Sequence, residues 1–281
     1  MTPKRNKLAN IVRAYFSRPL NTIALLCFIL VVLLCVFAPL IVPENYNTIH
    51  VNRIFEKPSW QHIFGRDRLG RDYLGRVLFG GRLTLKVASF ATVIGFLLGT
   101  AAGILCGYFG NTLDTVVMRF IETLEAVPFL LLVLVFEIML GLGTGNYRYA
   151  LGVAMIPRLT HFVRAEVMKL RSQEYIEASR SIGCSEMQII FRHILNNIFP
   201  ILILQLLRCF AEAVLTCTIC GYLQIGFTPP MADWGTLVAD GYHVLRVYPW
   251  ISLLPSGSVI LTVLSLNLIG NGLHDALGQK Q

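Results

Sequence analysis

Arg208 and Glu212 stand four residues apart in an otherwise apolar run, which sets a cation and a carboxylate one helical turn from each other. Charges inside a bilayer are expensive, so such a pair either neutralises itself or faces a watery path. Both readings stay open. Glu125 and Glu137 are the next carboxylates embedded in apolar sequence, and these four residues are the candidates for lining a polar pathway. Glu122 with Arg119 reads as a pair near an interface. Arg158 and His161 follow Pro157 and either line the pathway or snorkel, and His161 has no second ligand at helical spacing, so no metal site is expected. Cys217-x-x-Cys220 has redox or metal spacing but lacks His or acidic neighbours, and reads as a buried, inert pair. No G-x-x-x-x-G-K-[ST] run is present to cradle nucleotide phosphates, and no G-x-S-x-G elbow to raise a nucleophile. The chain is expected to bind no cofactor and to be no enzyme.

The elements that position these residues must suit a bilayer. Of 281 residues, 55% are hydrophobic and 14% charged, against about 25% charged in soluble domains. A spanning helix needs about 20 apolar residues, and six stretches qualify: Leu20–Val42, Val87–Phe109, Val116–Leu142, Tyr149 to about Val163, Ile198–Ile225 and Trp250–Leu268. Pro128 is a kink in the third, and Pro157 breaks the shorter fourth. Gly95, Gly99, Gly103 and Gly107 recur every fourth residue in the second, a small face for close helix packing. The net charge of +8 fits loops facing anionic cytoplasmic lipid better than nucleic acid. Lys4, Arg5 and Lys7 precede an apolar run too long for a signal-peptide core, so a retained first span is expected.

Six spans place both termini on one side, and Lys4, Arg5, Lys7, Arg13 and Arg18 make that side cytoplasmic. Arg164, Lys169, Arg171, Arg180 and Arg192, after span four, agree. The link between spans one and two disagrees: Arg53, Lys57, Arg66, Arg68, Arg71, Arg76 and Arg82 would be external, with Glu44, Glu56, Asp67 and Asp72 offsetting part. Either these arginines are tied up in structure or the topology is different.

Residues 174–194, EYIEASRSIGCSEMQIIFRHI, form the polar exception. Tyr175, Ala178 and Ile182 share a helical face away from Glu174, Glu177 and Arg180. Gly183 stops that helix, and Ser185 with Gln188 is a capping box for a second one, which groups Met187, Ile190 and Ile194. Two short amphipathic helices around a glycine corner either rest on lipid or dock into another protein. The narrow apolar faces and Glu174, Glu177 and Glu186, which anionic headgroups repel, favour docking.

Glu177-Ala178-Ser179, then Gly183, Ile194 and Pro200, resemble the E-A-A…G…I…P loop of ABC-importer membrane subunits, with Ser179 in place of the second alanine and Asn196 where relatives often have proline. Phe64-Gly65-x-Asp67-x-Leu69-Gly70-Arg71-Asp72 with Arg76, Gly80 and Arg82 is similar to the N-terminal signature of the "C" permease of dipeptide, oligopeptide and nickel importers. Pro229-Pro230, Trp234-Gly235, Asp240-Gly241 and Asn267-Leu268-x-Gly270-Asn271-Gly272-Leu273-x-Asp275-Ala276-Leu277 resemble that group's external loop and C-terminal close. The resemblance covers nearly the whole chain. It implies an all-α membrane protein with six transmembrane helices, a type I ABC-importer permease fold with a cytoplasmic coupling helix in the bacterial inner membrane. Its parts are an N-terminal tail, first helix and external segment (1–82), a permease core (83–273, coupling loop about 165–197) and a cytoplasmic tail (274–281). The coupling residues are then Glu177, Ala178, Ser179, Gly183 and Ser185. The implied partners are a second, different permease, two cytoplasmic ATPases that carry ATP and Mg, and an external solute-binding protein.

The resemblance implies a di- or oligopeptide as cargo, with nickel or metal chelates, antimicrobial peptides or polyamines as alternatives for the same architecture. Gly221-Tyr222-Leu223-Gln224-Ile225-Gly226, where peptide and nickel relatives read S-F-L-G-L-G, leans toward antimicrobial-peptide or polyamine importers, as does Arg208. Cys217 stands where many peptide relatives have an acid. An ATP-independent channel or ion-coupled carrier is the alternative from another class, but it has no use for a protruding cytoplasmic helix pair.

Overall fold

The computed structural model describes residues 12–42, 47–141, 143–227 and 230–278; Lys4, Arg5, Lys7, Glu44, Leu142 and Pro229, all used above, lie outside them. The described residues are helical, with no strand beyond an isolated bridge between Arg66 and Asp72. In chain order the helices are α1 (Pro19–Val36), α2 (Ala38–Ile41), α3 (Tyr73–Phe109), α4 (Asn111–Glu125), α5 (Phe129–Leu140), α6 (Thr144–Arg171), α7 (Glu174–Ser181), α8 (Glu186–Gln188), α9 (Leu195–Tyr222), α10 (Trp234–Tyr242) and α11 (Pro249–Gly278). A π-helical stretch, Ile189–Ile194, joins α8 to α9, so the chain is helical from Glu186 to Tyr222.

Among the described residues, four helices are long and apolar enough to cross a membrane: α1, α3, Glu186–Tyr222 and α11. The bent pair α4 and α5 makes a fifth if counted as one span. Their axes differ by 100°, and Pro128, which has no amide hydrogen to donate, sits at the break. The first span is shorter than expected. It pauses at Phe37 instead of running to Val42, because Pro39 interrupts the hydrogen-bond ladder two residues on. The second begins at Tyr73 instead of Val87, and the added turns bury Arg76 and Thr84.

The fourth stretch departs most. Helix α6 runs unbroken through Pro157. Helix α3 holds it on both sides of the proline. A Cβ added to Gly95 would lie 2.8 Å from Met155 Cβ, and one at Gly99 would lie 2.6 Å from Leu159 Cβ. Gly103 and Gly107 face Val163 and Val167 at 2.7 and 2.9 Å. Partner numbers rise together by four, so α3 and α6 run parallel in contact over about four turns.

The chain separates into two compact units. One gathers the described parts of 1–89, 142–145 and 210–281; the other gathers 90–141 and 146–209. In the first, α1 and α10 both pack on α11. Asn21 is buried and donates to the Tyr15 carbonyl at 3.1 Å, and a Cβ on Gly272 would lie 2.5 Å from the Asn21 amide group. Arg18, just before α1, is ion-paired with Asp275 near the end of α11. The second unit holds the α3–α6 contact and the 174–194 segment.

Candidate functional site

The 174–194 segment folds as two helices about a corner. Gly183 takes a left-handed φ of +89°, which favours glycine. Ser185 Oγ accepts from the Gln188 amide at 3.3 Å, and the Gln188 side chain accepts from the Ser185 amide at 3.0 Å, a complete capping box. Ile176, fully buried, anchors α7 in a cluster with Tyr108, Val163, Val167, Ile189, Ile190 and Ile194. Ser179 is buried beside it, and its hydroxyl donates to the Tyr175 carbonyl at 2.7 Å.

The face left outside is the one formed by Tyr175, Ala178 and Ile182, together with Glu174 and Glu177. Ile182 is 82% exposed. The second helix differs from expectation: Ile190 and Ile194 are buried with Ile189, but Met187 is 62% exposed. The π turn accounts for this, since its wider spacing rotates Met187 out of register with the isoleucines below it.

Polar contacts brace the segment from neighbouring helices, and local sequence patterns did not single them out. Arg164 of α6 grips Asp114 of α4 through Nε at 2.5 Å and Nη2 at 2.6 Å, a bidentate pair. Asn197 donates to the Tyr175 hydroxyl at 3.1 Å. Tyr108, on the last turn of α3, donates its hydroxyl hydrogen to Glu186. These partners lie 22 to 78 residues apart, beyond any helical period.

The pathway candidates separate. Glu125 Oε2 lies 3.4 Å from His161 Nε2. Glu125 also lines a cavity of about 300 Å³ with Leu124, Pro157 and Arg158 at the α4–α5 break. Glu137 is fully buried, and neither carboxylate oxygen has a hydrogen-bond partner among the described residues. Arg208 is exposed and Glu212 half-buried. Arg119 and Glu122 form an exposed pair at 3.7 Å. Cys217 and Cys220 are buried and not disulfide-bonded.

Four cations of the arginine-rich link, Arg66, Arg68, Arg71 and Arg76, are tied up in structure, whereas Arg53, Lys57 and Arg82 are exposed. Asp67 accepts from Arg71 Nε at 2.7 Å, Arg76 Nη1 at 3.1 Å and the Leu69 and Arg71 amides. Arg66, Arg71 and Arg76 are buried. Asp240 of α10 takes Arg68 at 3.1 Å and Arg76 at 3.8 Å. Burial pushes the Asp240 carboxyl above its ordinary range, and the Arg68 and Arg71 guanidiniums pull it back. Asp233 caps α10, accepting from the Gly235 and Thr236 amides at 2.9 and 3.1 Å. Trp234 is buried, donating from Nε1 to the Val77 carbonyl at 3.0 Å. The D-x-x-T spacing of Asp233 and Thr236 was a readable cap signal.

Solved structures share this architecture. A methionine ABC transporter in an inward-facing conformation aligns with a TM-score of 0.57 at 19% identity, over 70% of this chain and 96% of that one. An amino acid ABC transporter gives 0.56 at 16% identity, over 71% and 92%. The chain therefore shares its fold with a chain of each of these ABC-transporter structures. The family described as binding-protein-dependent transport system inner membrane component matches residues 99–281. The N-terminal TM domain of oligopeptide transport permease C matches residues 6–58. The chain is 34% identical to the dipeptide transport system permease protein DppC of Alkalihalophilus pseudofirmus, over 92% of this chain and 86% of the relative. It is 32% identical to the oligopeptide transport system permease protein OppC of Bacillus subtilis, over 94% and 87%. The glutathione transport system permease protein GsiD of Escherichia coli is 35% identical over 92% and 85%. The chain belongs to the family of binding-protein-dependent transport system inner membrane components, and is an integral inner-membrane transport subunit.

Proposed function

We propose that the chain forms half of the pathway of an ATP-driven peptide importer, with separate ATPases docking on residues 174–194. The observation that carries this reading is the exposed Tyr175, Ala178 and Ile182 face on a segment whose opposite side is firmly anchored. Apolar side chains held out on a rigid, capped, acid-rimmed knob suit a protein groove better than water or anionic lipid. The coupling residues are Glu177, Ala178, Ser179, Gly183 and Ser185. Of these, Glu177 and Ala178 belong to the contact surface, while Ser179, Gly183 and Ser185 shape the knob.

Two features support six crossings. Parallel α3 and α6 require the α4–α5 pair to carry the chain back across, and α6 to cross beside α3 despite its charges. The Arg18–Asp275 ion pair keeps the start of α1 and the end of α11 on one side, which requires an even number. With the knob and termini cytoplasmic, the arginine link is external. The buried pairing of Arg66, Arg71 and Arg76 reduces its weight in the charge asymmetry that sets orientation, although Arg53, Lys57 and Arg82 stay exposed.

Peptide cargo is supported by the dipeptide, oligopeptide and glutathione names of the relatives. Glu125, Glu137, Arg208 and Glu212 are the charges proposed for the pathway, which a second, different permease completes. A solute-binding protein delivers the cargo. Because no phosphate-cradling loop is present in this sequence, ATP and Mg belong to the ATPases. The test is reconstitution of the complex in proteoliposomes with its binding protein. ATP-dependent uptake of di- and tripeptides is expected; uptake of nickel or polyamines instead, or uptake without ATP, overturns the reading.

A further inference from the structure

Both helices of the knob meet one phenolic oxygen. The Tyr108 ring is buried, 2% exposed, in the apolar cluster that anchors Ile176 and Ile190. Its hydroxyl donates to the Glu186 carboxylate at the start of α8 and accepts from Arg180 Nη2, from the end of α7, at 3.3 Å. Arg180 Nε also lies 3.3 Å from Glu186. The remaining contacts of this cluster with α3 are apolar, and apolar contacts are non-directional. A hydroxyl that donates and accepts at once fixes direction, and its bonds to ionised groups are the stronger kind. The Arg180–Glu186 pair is half-exposed and holds little by itself. The buried ring ties it to a spanning helix.

We infer that Tyr108 is a positioning residue that locks the knob to α3, so that a displacement of the knob moves the helix instead of sliding over it. This rests on the reading of residues 174–194 as the ATPase dock. Tyr108→Phe is the discriminating variant, since it keeps the ring in the cluster and deletes only the oxygen. The assay uses the complete complex in proteoliposomes, with ATP hydrolysis read with and without the solute-binding protein as purified.

For Tyr108→Phe, the expected result is wild-type yield of assembled complex and unchanged basal hydrolysis, while stimulation by the binding protein falls about tenfold, the equivalent of one charged hydrogen bond. Glu186→Ala should lose stimulation to the same extent, and the double variant should lose no more than either single one. Arg180→Gln, on the exposed side, should weaken stimulation without touching the cluster. Unchanged stimulation in Tyr108→Phe, additive losses in the double variant, or loss of the ATPases from the complex would each overturn the inference. Ile182→Asp separates the two levels: if it leaves the ATPases bound and stimulated, the docking reading itself fails.

Discussion

Replacing Gly99 by alanine puts a methyl where α6 already stands. The added Cβ would lie 2.6 Å from Leu159 Cβ and 3.1 Å from the Ile156 carbonyl oxygen. Carbon atoms pack best at about 3.5–4.0 Å, so α6 must retreat by about 1 Å. Neither contact is the far end of a flexible side chain; one is backbone and the other a Cβ. Overpacking of this kind costs about 1–3 kcal/mol. Alanine recovers up to about 1 kcal/mol of intrinsic helix preference over glycine, which leaves a net loss of up to about 2 kcal/mol. Gly257 supplies the internal control, because a Cβ there meets nothing within 4 Å, and Gly257→Ala should be neutral or mildly stabilising. The assay is thermal unfolding of the purified complex in mild detergent. Gly99→Ala and Gly103→Ala should melt clearly below wild type, and their combination lower still. Melting of both alongside Gly257→Ala would refute the close α3–α6 contact, and with it the parallel register that supports the proposed six crossings.

Ser185→Ala removes an N-cap and should lower knob stability by about 1 kcal/mol, read as faster amide hydrogen exchange at residues 186–188 with little change elsewhere. Asp67→Asn leaves Arg71 and Arg76 buried beside a neutral partner and should cost about 3–5 kcal/mol, seen as loss of folded protein in a detergent melt. Asp240 sets a pH test. Burial raises its folded-state value above the ordinary 3.8, so its proton-linked contribution to stability is fully present below 3.8 and disappears as pH rises through the raised value. Between pH 7 and 4, wild type should therefore gain melting temperature relative to Asp240→Asn.

Much of the architecture was legible because bilayers impose coarse rules. The uncharged run after Leu20, the four-residue glycine spacing and the Ser185–Gln188 cap are local patterns, and each has a direct structural counterpart. Proline was misread at Pro157 because its effect depends on the neighbour. One lost hydrogen bond is tolerable where α3 clamps both flanks, whereas Pro128, in a stretch without that clamp, marks a sharp bend. Met187 was grouped with the isoleucines on a 3.6-residue period that the π turn breaks. Contacts such as Tyr108 with Glu186 or Arg164 with Asp114 join residues far apart in the chain and carry no local signal.

The most direct measurement places a photo-activatable cross-linking residue at Ile182 in intact cells that express the whole transporter. Ile182 is exposed at the rim of the knob, clear of the Tyr108 contacts. A cross-link to a cytoplasmic ATPase subunit is predicted. Adducts to lipid alone, or labelling of the same position by a membrane-impermeant reagent from outside, would contradict it.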